Sequence, residues 1–296
     1  MTVVVVSWIL VLLAVFGVNY SHDVIAESRL IQLEVEQHQL RAWATSGVEL
    51  ARVTLGDTPR IECATLGYSG PENLFAFPLA CGQGRFAVGE AIAIDNQEHW
   101  LPGIGDEAGR LPMALVDSTA LATLPGMTPY GRAILLDAKE AAGTNRLPPF
   151  EMVADLDEAS CESANRFLSR YGNAVNVNTA SEEVMVAVGL PPRAVYKLMG
   201  WRSGEDQIPG NSDDRLFQGL GNEDEGIRSS ALNSEEAAVL AFLIGAKRLT
   251  VEPRFFHLVS RGWGEGFKGI CEIRVVLEKE QYGTPQILEW TETWLN

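Results

Sequence analysis

Hydrophobic and polar positions divide this chain into stretches of different period. Thr2–Tyr20 is apolar on every face and carries no charge. At 1.5 Å per residue its about 19 residues span roughly 28 Å, close to the hydrocarbon thickness of a bilayer. The stretch has no basic n-region, is longer than the apolar core of a signal peptide and runs on into Val-Asn-Tyr-Ser, so it reads as a single-pass anchor. The helical pattern continues beyond it. From Ser21 to Leu55 no proline intervenes, and Val24, Ile25, Leu30, Leu33, Leu40, Trp43, Ala44, Val48, Ala51 and Leu55 recur at helical spacing. Gly56-Asp57-Thr58-Pro59 ends the run, which predicts one helix of ~50 residues, roughly 75 Å long.

Short apolar runs at Arg60–Leu66 and Arg85–Ile94, set between Gly, Pro and Asn clusters, predict strands. Residues 111–230 change character, being rich in Ala and Leu with few β-branched runs. Within them Val153–Leu168 predicts a helix with Asp155, Asp157 and Glu158 in its first turns, and Ser203–Ser230 predicts a loop dense in Gly, Asp and Glu. Asn233–Lys247 predicts a further helix, capped by Asn233 or Ser234 with Glu235 and Glu236 in its first turn. Arg254–Arg261, Gly269–Lys279 and Pro285–Trp294 alternate with Gly-rich turns and predict an antiparallel meander. The fold class is therefore α+β, with one sheet packed on the long helix and interrupted by a helical block. The expected divisions are 1–20 in the membrane, 21–56 as an amphipathic stalk, 57–110 as a β region, 111–230 as an inserted α-helical domain, and 231–296 as a helix and strands completing the sheet domain.

Charge narrows the partners. Acidic residues number 39 against 23 basic, a formal net charge of -16. Such a body repels phosphate backbones, so nucleic acid is not expected as a main partner; calcium or a basic protein surface fits better. The first charges beyond the apolar stretch are Asp23 and Glu27, an acidic flank that favours export of the body. Cys63, Cys81, Cys161 and Cys271 form no CxxC pair, and His22, His38, His99 and His257 are scattered, so no zinc signature exists. In an oxidising space four cysteines allow three full pairings, with four reduced thiols as the alternative. The expected bridge joins Cys63 to Cys81, closing a loop of about 18 residues worth roughly 3 kcal/mol; Cys161 and Cys271 are left unpaired. There is no GxSxG, HExxH or P-loop. The chain reads as an assembly protein and not an enzyme.

Two segments of the helical block echo each other 63 residues apart. Val116–Pro129 and Thr179–Pro192 align Gly126 with Gly189, Met127 with Leu190 and Pro129 with Pro192, and Leu135 then falls on Leu198. Each opens on a polar cap, runs through a short helix to a glycine suited to a left-handed turn, and enters a second helix. This is a helix-hairpin-helix pattern. Such hairpins often hold DNA backbones through turn amides and nearby Lys or Arg. Arg193, Lys197 and Arg202 lend the second copy some positive charge, whereas the first has little beyond Arg110 and Arg132. A packing unit without a ligand fits the net charge better.

Val175-Asn176-Val177-Asn178-Thr179-Ala180-Ser181 resembles the helical-domain signature of the K-type minor pseudopilins of type II secretion. Gly105-Asp106-Glu107-Ala108-Gly109-Arg110-Leu111 is a second pattern of that family. The Trp8–Ala14 stretch, the Ala42–Leu50 run and the Phe255–Ser260 strand are similar too, in the same order along nearly the whole chain. The resemblance implies a pilin-like fold with a large all-α domain inserted between strands. It implies a single-pass protein of the bacterial inner membrane with its body in the periplasm, at the pseudopilus tip beside I-type and J-type partners, helping to start assembly and support export. Counted from Met1 the fifth position is Val5, where most pseudopilins have glutamate and the K-type does not. Pro112-Met113-Ala114-Leu115 replaces an Asn-rich approach, so the first hairpin is expected to be distorted. Members can bind calcium through acidic loops. Asp206, Asp213, Asp214, Glu223, Asp224 and Glu225 offer oxygens here without regular ligand spacing. Asp213, Asp214, Glu223 and Asp224 are the candidate calcium ligands, and a solvated acidic loop is the competing reading. The alternative function is a membrane-tethered helix-hairpin-helix DNA receptor of a competence-type system, which charge at the hairpins would distinguish.

Overall fold

The apolar pattern from Thr2 onward becomes one helix, α1 (Thr2–Asp57), about 84 Å long at 1.5 Å per residue. The computed structural model describes residues 2–57, 74–94, 97–143, 146–205, 214–221, 224–280 and 283–295. Most described side chains from Val6 to Gln39 are exposed. From Leu40 onward each turn points inward, with Leu40, Trp43, Ala44, Val48, Ala51 and Leu55 all buried at the spacing of one helical face.

In chain order α1 is followed by β1 (Leu79–Cys81), β2 (Gly84–Ile94), β3 (Gln97–Pro102) and β4 (Gly105–Asp106). Then come β5 (Leu111–Pro112), α2 (Ser118–Thr123), α3 (Pro129–Ala142), α4 (Glu158–Phe167) and β6 (Leu168–Ser169). Next are β7 (Val175–Asn176), α5 (Glu182–Ala187), α6 (Pro192–Arg202), α7 (Glu225–Ser229), α8 (Ser234–Gly245) and β8 (Leu249–Thr250). The chain ends with β9 (Phe255–Gly264), β10 (Ile270–Glu278) and β11 (Gln286–Leu295).

Seven of the described strands make one antiparallel sheet in the order β1-β2-β9-β10-β11, with β3 on β2 and β4 on β9. The expected meander is β9-β10-β11. Its partner β2 comes from far upstream and sets Val88 opposite Ser260, so everything from β5 to β8 is an insertion between neighbouring strands. The α1 face carries Phe86, Val88, Phe256, Leu258, Ile273, Val275 and Leu277, which close over the buried half of α1. Small residues let the helix backbone lie directly on β9. A Cβ on Gly262 would stand 2.4 Å from the Ala44 amide nitrogen, and one on Gly47 2.2 Å from Ser260 Oγ. Ser260 Oγ donates to Ala44 O at 2.7 Å. At the far end Lys279 Nζ donates to Leu55 O at 2.6 Å, holding the last turn of α1 to the end of β10.

The insertion has its own core, in which Leu111, Leu121, Leu135, Leu168, Met185, Leu190 and Leu198 are fully buried. It is built from two copies of one unit. β5, the α2–α3 hairpin, α4 and β6 form the first; β7, the α5–α6 hairpin, α8 and β8 form the second. In each the closing strand pairs in parallel with the opening one, Leu111 with Leu168 and Val175 with Leu249. In each the third helix covers the glycine turn: a Cβ on Gly126 would meet Ala159 O of α4 at 3.6 Å, and one on Gly189 would meet Leu243 of α8 at 3.7 Å. Both glycines have positive φ, 76° and 113°, as such turns require.

Several expectations change. Val153–Leu168 is not one helix: α4 begins at Glu158, because Asp155 has a φ of 61° and Asp157 acts as N-cap, accepting from Ser160 N. The first hairpin keeps a regular cap and turn, with Asp117 accepting from Ala120 N at 2.8 Å. Asn233, one of the two cap candidates, caps α8 in a capping box with Glu236, but α8 buries Leu240 and Leu243 in the helical core and not in the core beneath β9–β11. The strand expected at Arg60–Leu66 lies outside the described residues.

Candidate functional site

The two polar motifs of the sequence meet at the seam between sheet and insertion. Asp106 ends β4 and is buried. Its Oδ1 accepts from Ala108 N at 2.8 Å, and its Oδ2 accepts from Asn176 Nδ2 at 2.7 Å and Thr179 Oγ1 at 2.8 Å. Asn176 Oδ1 accepts from Asn178 N at 3.0 Å. Asn178 then clamps the backbone of Phe217, donating to its carbonyl at 3.0 Å and accepting from its amide at 2.8 Å. Arg202 Nη1 donates to the Val177 and Ala180 carbonyls, both at 2.9 Å. One line of hydrogen bonds therefore runs from the sheet through β7 into the loop after α6. Burial raises the Asp106 pKa, against the lowering effect of these donors.

Beside this line four charges alternate. Arg110 reaches Glu90 at 2.6 Å and Glu107 at 3.2 Å. His257 of β9 sets Nδ1 2.8 Å from Glu107 and Nε2 3.2 Å from Glu90. Burial alone would lower the histidine, and Arg110 adds to that, but the two carboxylates prevail and hold His257 up at about 9. Burial likewise opposes charge on Glu90, yet His257 and Arg110 bring it down to about 2. Two acids and two bases thus neutralise one another in a closed quartet. A third tie joins the blocks at the β11 edge, where Glu289 takes Arg170 and the Tyr171 hydroxyl, the latter at 2.5 Å. A crevice of about 260 Å³ remains between these ties. The arrangement binds and orients two layers: Glu90, Glu107, Arg110 and His257 each lie within ion-pair distance of an opposite charge, and Asp106 is held by neutral donors. The sequence marked Asp106, Asn176 and Thr179 through their motifs and His257 only as part of the Phe255–Ser260 strand, whereas Glu90 carried no local signal and is brought to His257 by the long-range β2–β9 pairing.

The hairpin turns are occupied from within. At the start of α3, Thr128 N donates to Ser160 Oγ at 3.1 Å, Thr128 Oγ1 donates to Asp157 at 2.8 Å, and Gly131 N donates to Thr128 Oγ1. The donors at the start of α3 are therefore satisfied within the chain. In the second turn Gly189 N and Leu190 N donate to Val186 O and Met185 O, and Pro191 and Pro192 have no N–H. Lys197 is paired with Glu236 at 2.6 Å.

Of the candidate calcium ligands, Asp213 and Glu223 lie outside the described residues. Asp214 is half-buried. Asp224 accepts from the amides of Gln218, Gly219 and Ile227 at 2.9–3.1 Å, which orders its own loop and the start of α7. Among the described residues no three His, Cys, Asp or Glu side chains gather to hold a metal. The expected Cys63–Cys81 bridge falls on Cys63, outside the described residues; Cys81 has its Sγ 3.8 Å from Ser46 Oγ.

The other candidate surface is the exposed half of α1. Trp8, Leu13, Phe16 and Leu30 are each more than 60% exposed, and Ile25, Ile31, Leu33 and Val35 stand out at half or more. Leaving such side chains in water forgoes about 1.5–3 kcal/mol each. Among the described residues no helix is long and apolar enough to cross a membrane; the side chains of residues 1–5, 10, 11 and 14 are not among them.

One long helix half-buried on an antiparallel sheet, with helical segments inserted between strands, defines an α+β, pilin-like fold. The chain is similar to one chain in the crystal structure of the GspK-GspI-GspJ complex from the enterotoxigenic Escherichia coli type 2 secretion system, with a TM-score of 0.54 and 12% identity over 88% of this chain and 98% of that one. The likeness is one of fold, and the fold is pseudopilin-like. No protein-family model matches the chain, and no curated protein does.

Proposed function

We propose that this protein is a K-type minor pseudopilin, anchored in the inner membrane by residues 1–20 with its body in the periplasm, that caps a type II secretion pseudopilus and helps to start its assembly. It acts by binding other subunits and not by catalysis. The observation that carries this reading is the placement of the two blocks. The exposed half of α1 leaves the sheet at the Gly262 end, where Leu40 is the first buried residue. The insertion attaches at the opposite end, through Asp106 opposite Phe256 and near the last turn of α1. A helix with most of its described side chains exposed on one side and a bulky block on the other suit a subunit that bundles with helices below and obstructs any head above. The partners in this reading are the I-type and J-type minor pseudopilins. The alternative DNA receptor finds no support in hairpins whose turn amides and Lys197 are engaged internally.

Deletion of the gene tests the function: secretion and the number of pseudopili should fall while the major subunit stays stable. Unchanged secretion and filament number would contradict it.

A further inference from the structure

The sheet packs one face on α1, and at one end its other face is hollow. Side chains alternate along β2 and β9, so Phe86, Val88, Ser260 and Gly262 meet α1 while Ala87, Arg261 and Trp263 point away from it. Ala87 stands opposite Arg261 in the ladder, and its single methyl leaves the floor low. Trp100 of β3, Phe75 from before β1 and Phe267 from the turn between β9 and β10 line the space around it. The hollow measures about 540 Å³, larger than the seam crevice of about 260 Å³. That is the size of a small-molecule site, and such sites are walled mostly by apolar and aromatic side chains with few polar groups.

We propose that this hollow binds a small, uncharged aromatic molecule carrying a hydrogen-bond acceptor, an aryl ketone being the simplest case. The rings of Phe75, Trp100, Trp263 and Phe267 favour a flat guest, which they can meet by face or by edge. Charge of either sign is disfavoured. The Arg261 guanidinium lies 4.7 Å from the centre of the Trp100 ring, so the place an ammonium would take on that ring already holds a cation. Arg261 Nε donates to Glu272 at 2.7 Å, and the Glu272 side chain is only 2% exposed. An anion would have to compete with that buried carboxylate for the guanidinium. The polar side chains among the described lining residues are Arg261 and the two indoles, which are donors only; none is a carboxylate, amide or hydroxyl. A guest rich in hydroxyls, such as a sugar, therefore finds no side-chain acceptor here, whereas a carbonyl oxygen can be served.

The test uses the full chain in lipid nanodiscs, with empty nanodiscs to subtract partition into lipid. Three probes share one ring system: acetylnaphthalene, naphthoate and naphthylmethylammonium. Binding is read by saturation-transfer NMR and by amide hydrogen exchange. The ketone should bind roughly tenfold tighter than either ion and slow exchange across 261–270. Ala87→Leu fills the floor and should abolish binding while the protein still melts cooperatively. Trp263→Ala removes a wall instead and should weaken binding roughly tenfold, which gives the reading if Ala87→Leu does not fold. The proposal is overturned if the ketone shows no more transfer than with empty nanodiscs, or if either ion binds as well. It is also overturned if binding survives unchanged in a folded Ala87→Leu or Trp263→Ala protein. None of these readouts depends on secretion or filament number, so this site and the proposed function fail separately.

Discussion

The two halves of α1 are opposite in fate. Both carry Val and Leu at helical spacing, and both are continuous helix. The half from Leu40 to Leu55 is buried because a glycine-bearing strand comes close enough for its backbone to lie on the sheet; in the half before it most of the described side chains are exposed. Helical periodicity tells where a helix has an apolar face, and only the partner's shape tells whether that face is filled.

The sharpest way to break this comparison is to fill the approach. Gly262→Leu would drive a side chain into the Ala44 backbone 2.4 Å away. It should cost about 3 kcal/mol or more, as severe overpacking does, or prevent folding. Gly17→Leu in the exposed half has nothing within 4 Å and should stay within about 0.5 kcal/mol. Thermal unfolding of both variants in detergent checks the pair, and equal losses would refute the contrast. Next in size is the seam. Asp106→Ala removes the acceptor of two buried bonds, from Asn176 Nδ2 and Thr179 Oγ1, and should cost about 2–3 kcal/mol, with faster amide exchange at 176–180 and little change within β9 and β10.

The charge quartet predicts a pH effect of similar or smaller size. His257 sits at about 9 against an ordinary 6.5, so its contribution is complete below pH 6.5 and is lost as pH rises through 9. Glu90, at about 2, contributes above its ordinary value of 4.5 and loses that only as pH falls toward 2. The groups facing His257 are Glu90 from β2 and Glu107 and Arg110 from the turn after β4, with Asp106 nearby. From pH 7 to pH 9 the folded chain should lose about 2 kcal/mol, and His257→Gln should flatten that slope. A melting curve indifferent to pH in this range would show the imidazole to be neutral. The smallest expected effect on stability is in the bare half of α1. Leu30→Ser with Leu33→Ser should leave melting within about 0.5 kcal/mol yet reduce co-purification with the I-type and J-type pseudopilins.

Much of this was readable in advance where the cause is local. The extent of α1, the strand at Arg85–Ile94, the terminal meander, the Asn233 cap and both glycine hairpins follow from periodicity, caps and turns within a few residues of each other. The duplication was only half visible. The hairpins repeat at 63 residues, Gly126 to Gly189, but the third helices are capped by Asp157 and Asn233, farther apart because the second unit carries the acidic loop and α7 in between. The parallel pairings Leu111–Leu168 and Val175–Leu249 are invisible to a period of any kind in strands two residues long. The seam was legible as two motifs and not as one site, since nothing along the chain says that Asp106 will accept from Asn176.

The measurement that tests the central claim most directly is the position of labelled protein on isolated pseudopili. With a gold-binding tag on an exposed loop, the account predicts one label per filament, at the end distal to the membrane, and lost when the I-type or J-type partner is deleted. Labels spaced along the filament length would contradict it, because the inserted block would then be accommodated between stacked heads.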